Sequence, residues 1–124
     1  GGAIMSEICN AVIKATNLGV QYTDHGVLSF WLFLDYGGAG QGYGGIILNG
    51  NVVSSLLYAI DKVFQKDWEK LPTTPCRALI DDSRSVGAVG NHLRDLWLWY
   101  DVANNEFVVG KLSERLYEGA HSGV

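Results

Sequence analysis

The chain has 124 residues, 48% hydrophobic and 18% charged, with a formal net charge of −4 and a sequence pI near 5.2. That length predicts one domain over residues 1–124, able to bury roughly two thirds of the surface its unfolded chain exposes. The acidic balance excludes a non-specific binder of long nucleic acids, which needs an excess of Lys and Arg, and the apolar excess over an average domain points to a subunit interface.

Gly1 to Ile4 fit no element and read as a cloning remnant ahead of Met5. No apolar run reaches ten residues and no signal-peptide pattern is present, so neither membrane span nor export is expected, and a cytoplasmic location is. Ile8 to Leu18 alternate β-branched and polar residues, and "VLSFWLFLDY" (27–36) is rich in β formers; both read as strands. Between them, Asp24 and Gly26 bracket His25 in a turn, which predicts an antiparallel hairpin. After a glycine-rich stretch, "GIILNG" is extended, and Asn49 to Asn51 carry helix-start character. Val53, Leu56, Leu57, Ile60, Val63 and Phe64 then recur at spacings of three and four, making one face of a helix over 52–68 apolar. "LPTTP" stops it, because the residue before each proline is pushed out of the helical region.

"CRALID" and "SVGAVGNHL" follow as extended pieces joined by the turn "DDSR", and "RDLWLWYDV" continues the second of them. Val108, Val109, Leu112 and Leu116 suit a short C-terminal helix, with Lys111 and Arg115 four apart on another face. A strand turning at "ANN" into "EFVVGKL" is the competing reading, and periodicity does not separate the two. The expected fold is therefore α+β: a small antiparallel sheet with one main helix and a short C-terminal helix. Cys9 and Cys76, far apart and without CxxC or Cys/His company, read as reduced core residues.

"LDYGGAGQGYGG" (34–45) places six glycines in twelve positions. Gly40, Gly42 and Gly45 satisfy GxGxxG, but a dinucleotide fingerprint must open into a helix with an acid about twenty residues on. Here extended Ile46, Ile47 and Leu48 follow, and the nearest later acid, Asp61, lies inside the helix. No GK[ST] follows, so a P-loop fails as well. What remains is a flexible hairpin loop or a strand that another group approaches closely. In the second case Gln41 and Tyr43 stand alone on a glycine ribbon, an amide and a phenol able to bond and stack on a planar ligand.

The chain offers little for catalysis. His25, His92 and His121 lack metal spacing, and no second cysteine accompanies Cys76. There is no GxSxG elbow around Ser83 or Ser85. Asp81 and Asp82 with Ser83 make a common solvated turn. No catalytic residue, metal or cofactor is expected. "AVGNHLRDLWLW" (88–99) instead gathers Asn91, His92, Arg94, Asp95, Trp97 and Trp99. As a strand it sets Asn91, Asp95, Trp97 and Trp99 on one face and His92 and Arg94 on the other. Core packing with one ion pair accounts for this set. So does a nucleotide pocket, with an aromatic for the base, an amide or acid for its edge or a ribose, and Arg77, Arg84 and Arg94 as phosphate donors.

"TDHGVLSFWLFLDYGGAGQGYGG", a single helix, "WEKLP" and "AVGNHLRDLW" together resemble a family of small phage and prophage proteins with DHG, LD, GQG-aromatic-GG, W-x-x-L-P and GN-(K/R)D-W segments in this order. The resemblance covers about residues 23 to 97, and the family it points to includes the anti-Thoeris sponges that sequester a cyclic ADP-ribose-type messenger. It implies a phage anti-defence protein that holds a small cyclic nucleotide without cleaving it, in the cytosol of an infected bacterium. It also implies a homodimer, or a hexamer built as a trimer of dimers, with pockets shared between protomers and no nucleic acid polymer or membrane as partner. Asn91 matches a position in the messenger pocket. Lys111 and Arg115 resemble a basic pair tied in some members to a second site for cyclic oligonucleotides, with Lys111 standing where those members have Arg. The same inventory would serve a cyclic-nucleotide hydrolase using His25 or His92 with Asp82. A protein-binding inhibitor or phage accessory protein would instead present Trp97, Trp99 and Tyr100 to a partner.

Overall fold

A computed structural model describes residues 6–21, 27–37, 39–81 and 84–115, without the side chains of Gln21, Val27 and Ile47. The readings of residues 1–4, of the turn containing His25, and of Asp82, Ser83, Leu116 and His121 lie outside these residues. Among the described residues seven strands form one antiparallel sheet: β1 (Glu7–Gln21), β2 (Val27–Asp35), β3 (Gly40–Ile47), β4 (Thr74–Ile80), β5 (Val86–Asn91), β6 (Trp97–Asp101) and β7 (Glu106–Gly110). Their order across the sheet is β3-β2-β1-β4-β5-β6-β7. One main helix, α1 (Gly50–Phe64), follows β3, and residues 112–115 form a short helical turn. The fold is the α+β arrangement expected from the sequence.

Strand β1 is long enough to serve two neighbours. Its first half pairs with β4 and its second half with β2. A bulge between Ile13 and Ala15 separates the halves, and such an insertion bends and twists a strand. The sheet curls so that β3 approaches β5. Inside the curl lies the main core. Phe30 is fully buried and is met edge-on by Tyr43, Trp68 and Phe107, with ring centroids 6.0, 6.2 and 5.4 Å away, the arrangement aromatic quadrupoles favour. Helix α1 contributes Val52, Leu56, Ala59, Ile60, Val63 and Phe64 to this core.

The Asn49 side chain accepts the Val52 N–H at 3.0 Å and starts the helix where the sequence placed its beginning. It ends earlier than the apolar pattern suggests. Gln65, Lys66 and Asp67 are polar and exposed, so a further turn would bury nothing. Gln65 instead takes a left-handed conformation (φ 56°) and donates its N–H to the Asp61 carbonyl at 2.7 Å. A 3-10 turn at Trp68–Lys70 then drops Leu71, fully buried, into the core.

Alternation along β4 to β7 splits their apolar residues between two faces. Ala78, Val89, Leu98 and Phe107 face α1. Leu79, Ala88, Trp97 and Trp99 form a second cluster on the outer face, with Val108 and Leu112 packed against it. This division corrects two expectations. Residues 106–110 are strand β7, the competing reading, because Phe107 and Val109 serve one core while Val108 serves the other. A helix would put all of them on one side. The stretch from 88 to 101 is likewise two strands, interrupted by a turn at 92–95 and paired antiparallel with Gly90 opposite Trp97. Asn91 and Asp95 therefore share no strand face with the tryptophans. Cys76 is buried and Cys9 half-buried, both as free thiols, and burial pushes the Cys76 thiol up to about 12.

Candidate functional site: the turn between β5 and β6

Five of the residues singled out in the sequence meet at this turn: Arg77, Asn91, Arg94, Asp95 and Lys111. Asn91 ends β5, and each of its polar side-chain atoms is engaged. Its Oδ1 accepts the N–H of Leu93 at 2.8 Å and of Arg94 at 3.1 Å, folding the turn. Its Nδ2 donates to the Val63 carbonyl at 2.8 Å, which anchors the turn to the last turn of α1. Arg77, on β4, reaches beneath. Its Nε donates to the Asn91 carbonyl at 2.8 Å and its Nη2 to the Arg94 carbonyl at 2.6 Å, while its guanidinium lies 4.9 Å from the centroid of the Trp97 ring. Asp95 Oδ1 accepts both the Trp97 Nε1–H and the Leu112 N–H, each at 3.1 Å. The second bond draws the backbone next to Lys111 against the turn.

The result is a stiff projection with four of its backbone groups held by side chains. His92, Leu93 and Arg94 stand out from it in solvent, Leu93 at 80% exposure. Arg94 has no hydrogen-bond or ion-pair partner for its guanidinium among the described residues. Lys111 is also exposed. Arg77, Asn91 and Asp95 are thus the turn's framework rather than freely displayed ligand contacts, which revises their expected roles. The cations left to meet an anion are Arg94 and Lys111; His92, to which the sequence reading gave a role only in the hydrolase alternative, is exposed on the same turn. Its place within the polar run from Asn91 to Asp95 was the available signal.

The other predicted residues lie elsewhere. Arg84 is exposed in the β4–β5 turn in a left-handed conformation (φ 66°), near the opposite ends of β4 and β5 from Arg94. Arg77, Arg84 and Arg94 therefore do not converge on one phosphate. Arg115 pairs with Asp81 at 3.6 Å, both about a quarter exposed, where solvent screening leaves such a pair little net value. Gln41 on β3 accepts the Tyr36 hydroxyl at 3.0 Å.

Tyr43 is not displayed on a ribbon. Its ring is buried against Phe30, its hydroxyl lies near the Tyr100 backbone without a hydrogen bond of normal geometry, and burial raises its pKa. Trp97 and Trp99 are 0% and 3% exposed, so they form no partner surface.

Two glycines of β3, Gly42 and Gly45, answer to a side chain of their own sheet. The Trp31 indole lies flat on them: a Cβ on Gly42 would stand 2.7 Å from the ring and one on Gly45 2.8 Å. Gly45 (φ +73°) also sits in the left-handed region, where the register between β2 and β3 slips. Trp31 stacks in turn with Phe33, centroids 6.1 Å apart and planes 17° apart.

A separate polar cleft of about 430 Å3 opens between the first turn of α1 and the β6–β7 turn, lined by Asn49, Asn51, Ser54, Asn104, Asn105 and Glu106. The sequence reading used Asn49 and Asn51 only as helix starters, and nothing local to either segment reveals that the two turns face each other. Among the described residues no group of three or more His, Cys, Asp or Glu side chains is arranged for a metal ion, and no helix is long and apolar enough to cross a membrane. No protein-family model, curated protein or solved structure matches the chain.

Proposed function

We infer that the protein is a phage anti-defence protein that sequesters a cyclic nucleotide immune messenger of the cyclic ADP-ribose type without cleaving it. It acts in the cytoplasm of the infected bacterium, as a homodimer or a trimer of dimers. The observation that carries this reading is the β5–β6 turn. In a chain of net charge −4, a stiffened turn sets Arg94 and His92 outward, and the backbone next to exposed Lys111 is held against it. Charge-assisted hydrogen bonds from Arg94 and Lys111 to a pyrophosphate contribute about 1.5 to 3 kcal/mol each. The acidic remainder of the surface disfavours long nucleic acids while a small ligand reaches the turn.

Asn91 acts in this scheme by fixing the turn that carries the cations. The resemblance supports the reading in a second way, since its segments coincide with working parts of the fold. LD and GQGYGG build the β2–β3 hairpin, W-x-x-L-P places Trp68 and Leu71 in the core, and GN-RD-W is the clamped turn itself. One face of a small turn cannot enclose a nucleotide, so the remaining walls come from a second copy.

Calorimetric and thermal-shift titration with cyclic ADP-ribose isomers and cyclic di- and trinucleotides tests the reading. A bound messenger at a hundredfold excess over Kd stabilises the fold by about 2.7 kcal/mol and is recovered intact after heat release. Recovery of a linear product makes the protein a hydrolase. Absence of any stabilisation by the whole panel removes the messenger and leaves a protein-binding role, for which exposed Leu93 is the anchor.

A further inference from the structure

The polar cleft between the first turn of α1 and the β6–β7 turn has no part in the reading above. Asn91 is bonded to Val63 near the end of α1, whereas the cleft lies at the helix's beginning, about 20 Å away along an axis that rises 1.5 Å per residue. Its volume of about 430 Å3 falls within the roughly 300 to 1,000 Å3 that small-molecule sites occupy. Its walls differ from those of an average site, which are mostly apolar. Asn49, Asn51, Ser54, Asn104, Asn105 and Glu106 line it, and none of these is an aromatic, an aliphatic or a cation. A planar base therefore finds no ring to stack on, and a phosphate meets a carboxylate instead of a guanidinium.

What these walls offer is hydrogen-bonding capacity that the fold itself leaves over. Asn49 Oδ1 accepts the Val52 N–H, which leaves its Nδ2 to donate. Asn105 Oδ1 accepts the Tyr100 hydroxyl, which leaves a second amide donor. Asn104 Nδ2 donates to Asp101 Oδ2 at 2.7 Å, so its Oδ1 is left to accept, and Ser54 Oγ, which donates to the Gly50 carbonyl at 2.9 Å, keeps its lone pairs. Each of these four side chains is pinned at one polar bond, which lowers the cost of ordering it around a ligand. The Asn51 and Glu106 side chains make no hydrogen bond or ion pair among the described residues.

We propose that this cleft binds a neutral saccharide through adjacent hydroxyls. A hydroxyl is a neutral group that donates and accepts at a single atom, so a ring bearing several side by side meets a mixed set of donors and acceptors without leaving a group unpaired. The Glu106 carboxylate is the strongest acceptor, because hydrogen bonds to an ionised group are about twice as strong as neutral ones, and it turns away acidic substituents. The inference is separate from the proposed function: it needs no phosphate and no second copy.

Titration of the whole 15N-labelled protein with glucose, galactose, N-acetylglucosamine, ribose and adenosine tests this, read at the side-chain amide resonances of Asn49, Asn51, Asn104 and Asn105. Saturable shifts at these amides are expected, with a dissociation constant of about 1 mM for a single ring. Asn51→Ala and Glu106→Ala, both at exposed positions, each weaken binding by about tenfold. Circular dichroism confirms that these variants are folded, and the shift map of the natural chain stands without them. Tighter binding by the hexoses makes the ligand a free sugar or glycan, and tighter binding by ribose and adenosine makes it the sugar of a nucleoside. No shift at about ten times that concentration overturns the proposal, as do shifts confined to other parts of the chain, or shifts here from inorganic phosphate and from none of the sugars. The messenger titration is independent: a protein that binds sugar in the cleft and no messenger keeps this inference and removes the proposed function, and a messenger-binding protein whose cleft ignores every sugar does the reverse.

Discussion

Two tryptophans in this protein lie on glycines of a neighbouring strand, and their fates differ. Trp97 rests on Gly90, where a Cβ would stand 2.5 Å from the ring, and Trp31 rests on Gly42 and Gly45. Trp97 is fully buried, because Arg77 covers it, Asp95 takes its indole N–H, and Leu112 packs beside it. Among the described residues Trp31 has no such cover: it is half-buried and stacked on an exposed Phe33. The same local device, glycine admitting an indole against backbone, makes core in one half of the outer face and open surface in the other. What decides between them is the arrival of a later segment of chain.

Removing the covered indole should have the largest effect. Trp97→Ala deletes a fully buried ring and the platform of Arg77, and a loss of about 3 to 5 kcal/mol is expected in urea denaturation. A loss under 1 kcal/mol would mean that the outer cluster is no core. Asn91→Ala comes next. It leaves the Leu93 and Arg94 amides and the Val63 carbonyl without their partner, for a loss of about 1 to 3 kcal/mol, with faster amide exchange at 93 and 94. If Asn91 served only a ligand, stability would stay unchanged.

Arg94→Ala separates the display from its framework. Its thermal midpoint should stay within the spread of neutral surface changes, while messenger affinity falls about tenfold or more. Equal affinity would move the anion contact away from the turn. The smallest effect is expected at the uncovered tryptophan's neighbour: Phe33→Ser should alter monomer stability by no more than about 0.5 kcal/mol. A loss comparable to that of Trp97→Ala would show that the bare half is sealed within a single copy.

Much of this organisation was legible in the residues. The helix announced itself because its apolar spacing and the Asn49 cap are local signals, and the β1–β2 strands did so through their β-branched and aromatic content. Residues 107–109 were ambiguous for a physical reason: they pack against a core on each face of the sheet, and a run that is apolar on every side carries no period. The broken strand at 92–95 was hidden because Asn91 folds that turn with its side chain, and the same Asn would be unremarkable within a strand. Of the proposed site, the concentration of polar groups at 91–95 was visible. Its division into framework and free cations was not, because Arg77 and Leu112, which decide it, lie 14 and 21 positions away from Asn91.

By itself the sequence determined the inventory and the local conformations: acidic charge, one amphipathic helix, β-forming runs, and glycines where bulk is excluded. Tertiary structure alone decided which group occupies the space each glycine leaves, and which two turns face each other across the polar cleft. Both outcomes depend on segments far apart in the chain meeting across a curled sheet, and spacing along a sequence does not encode such meetings.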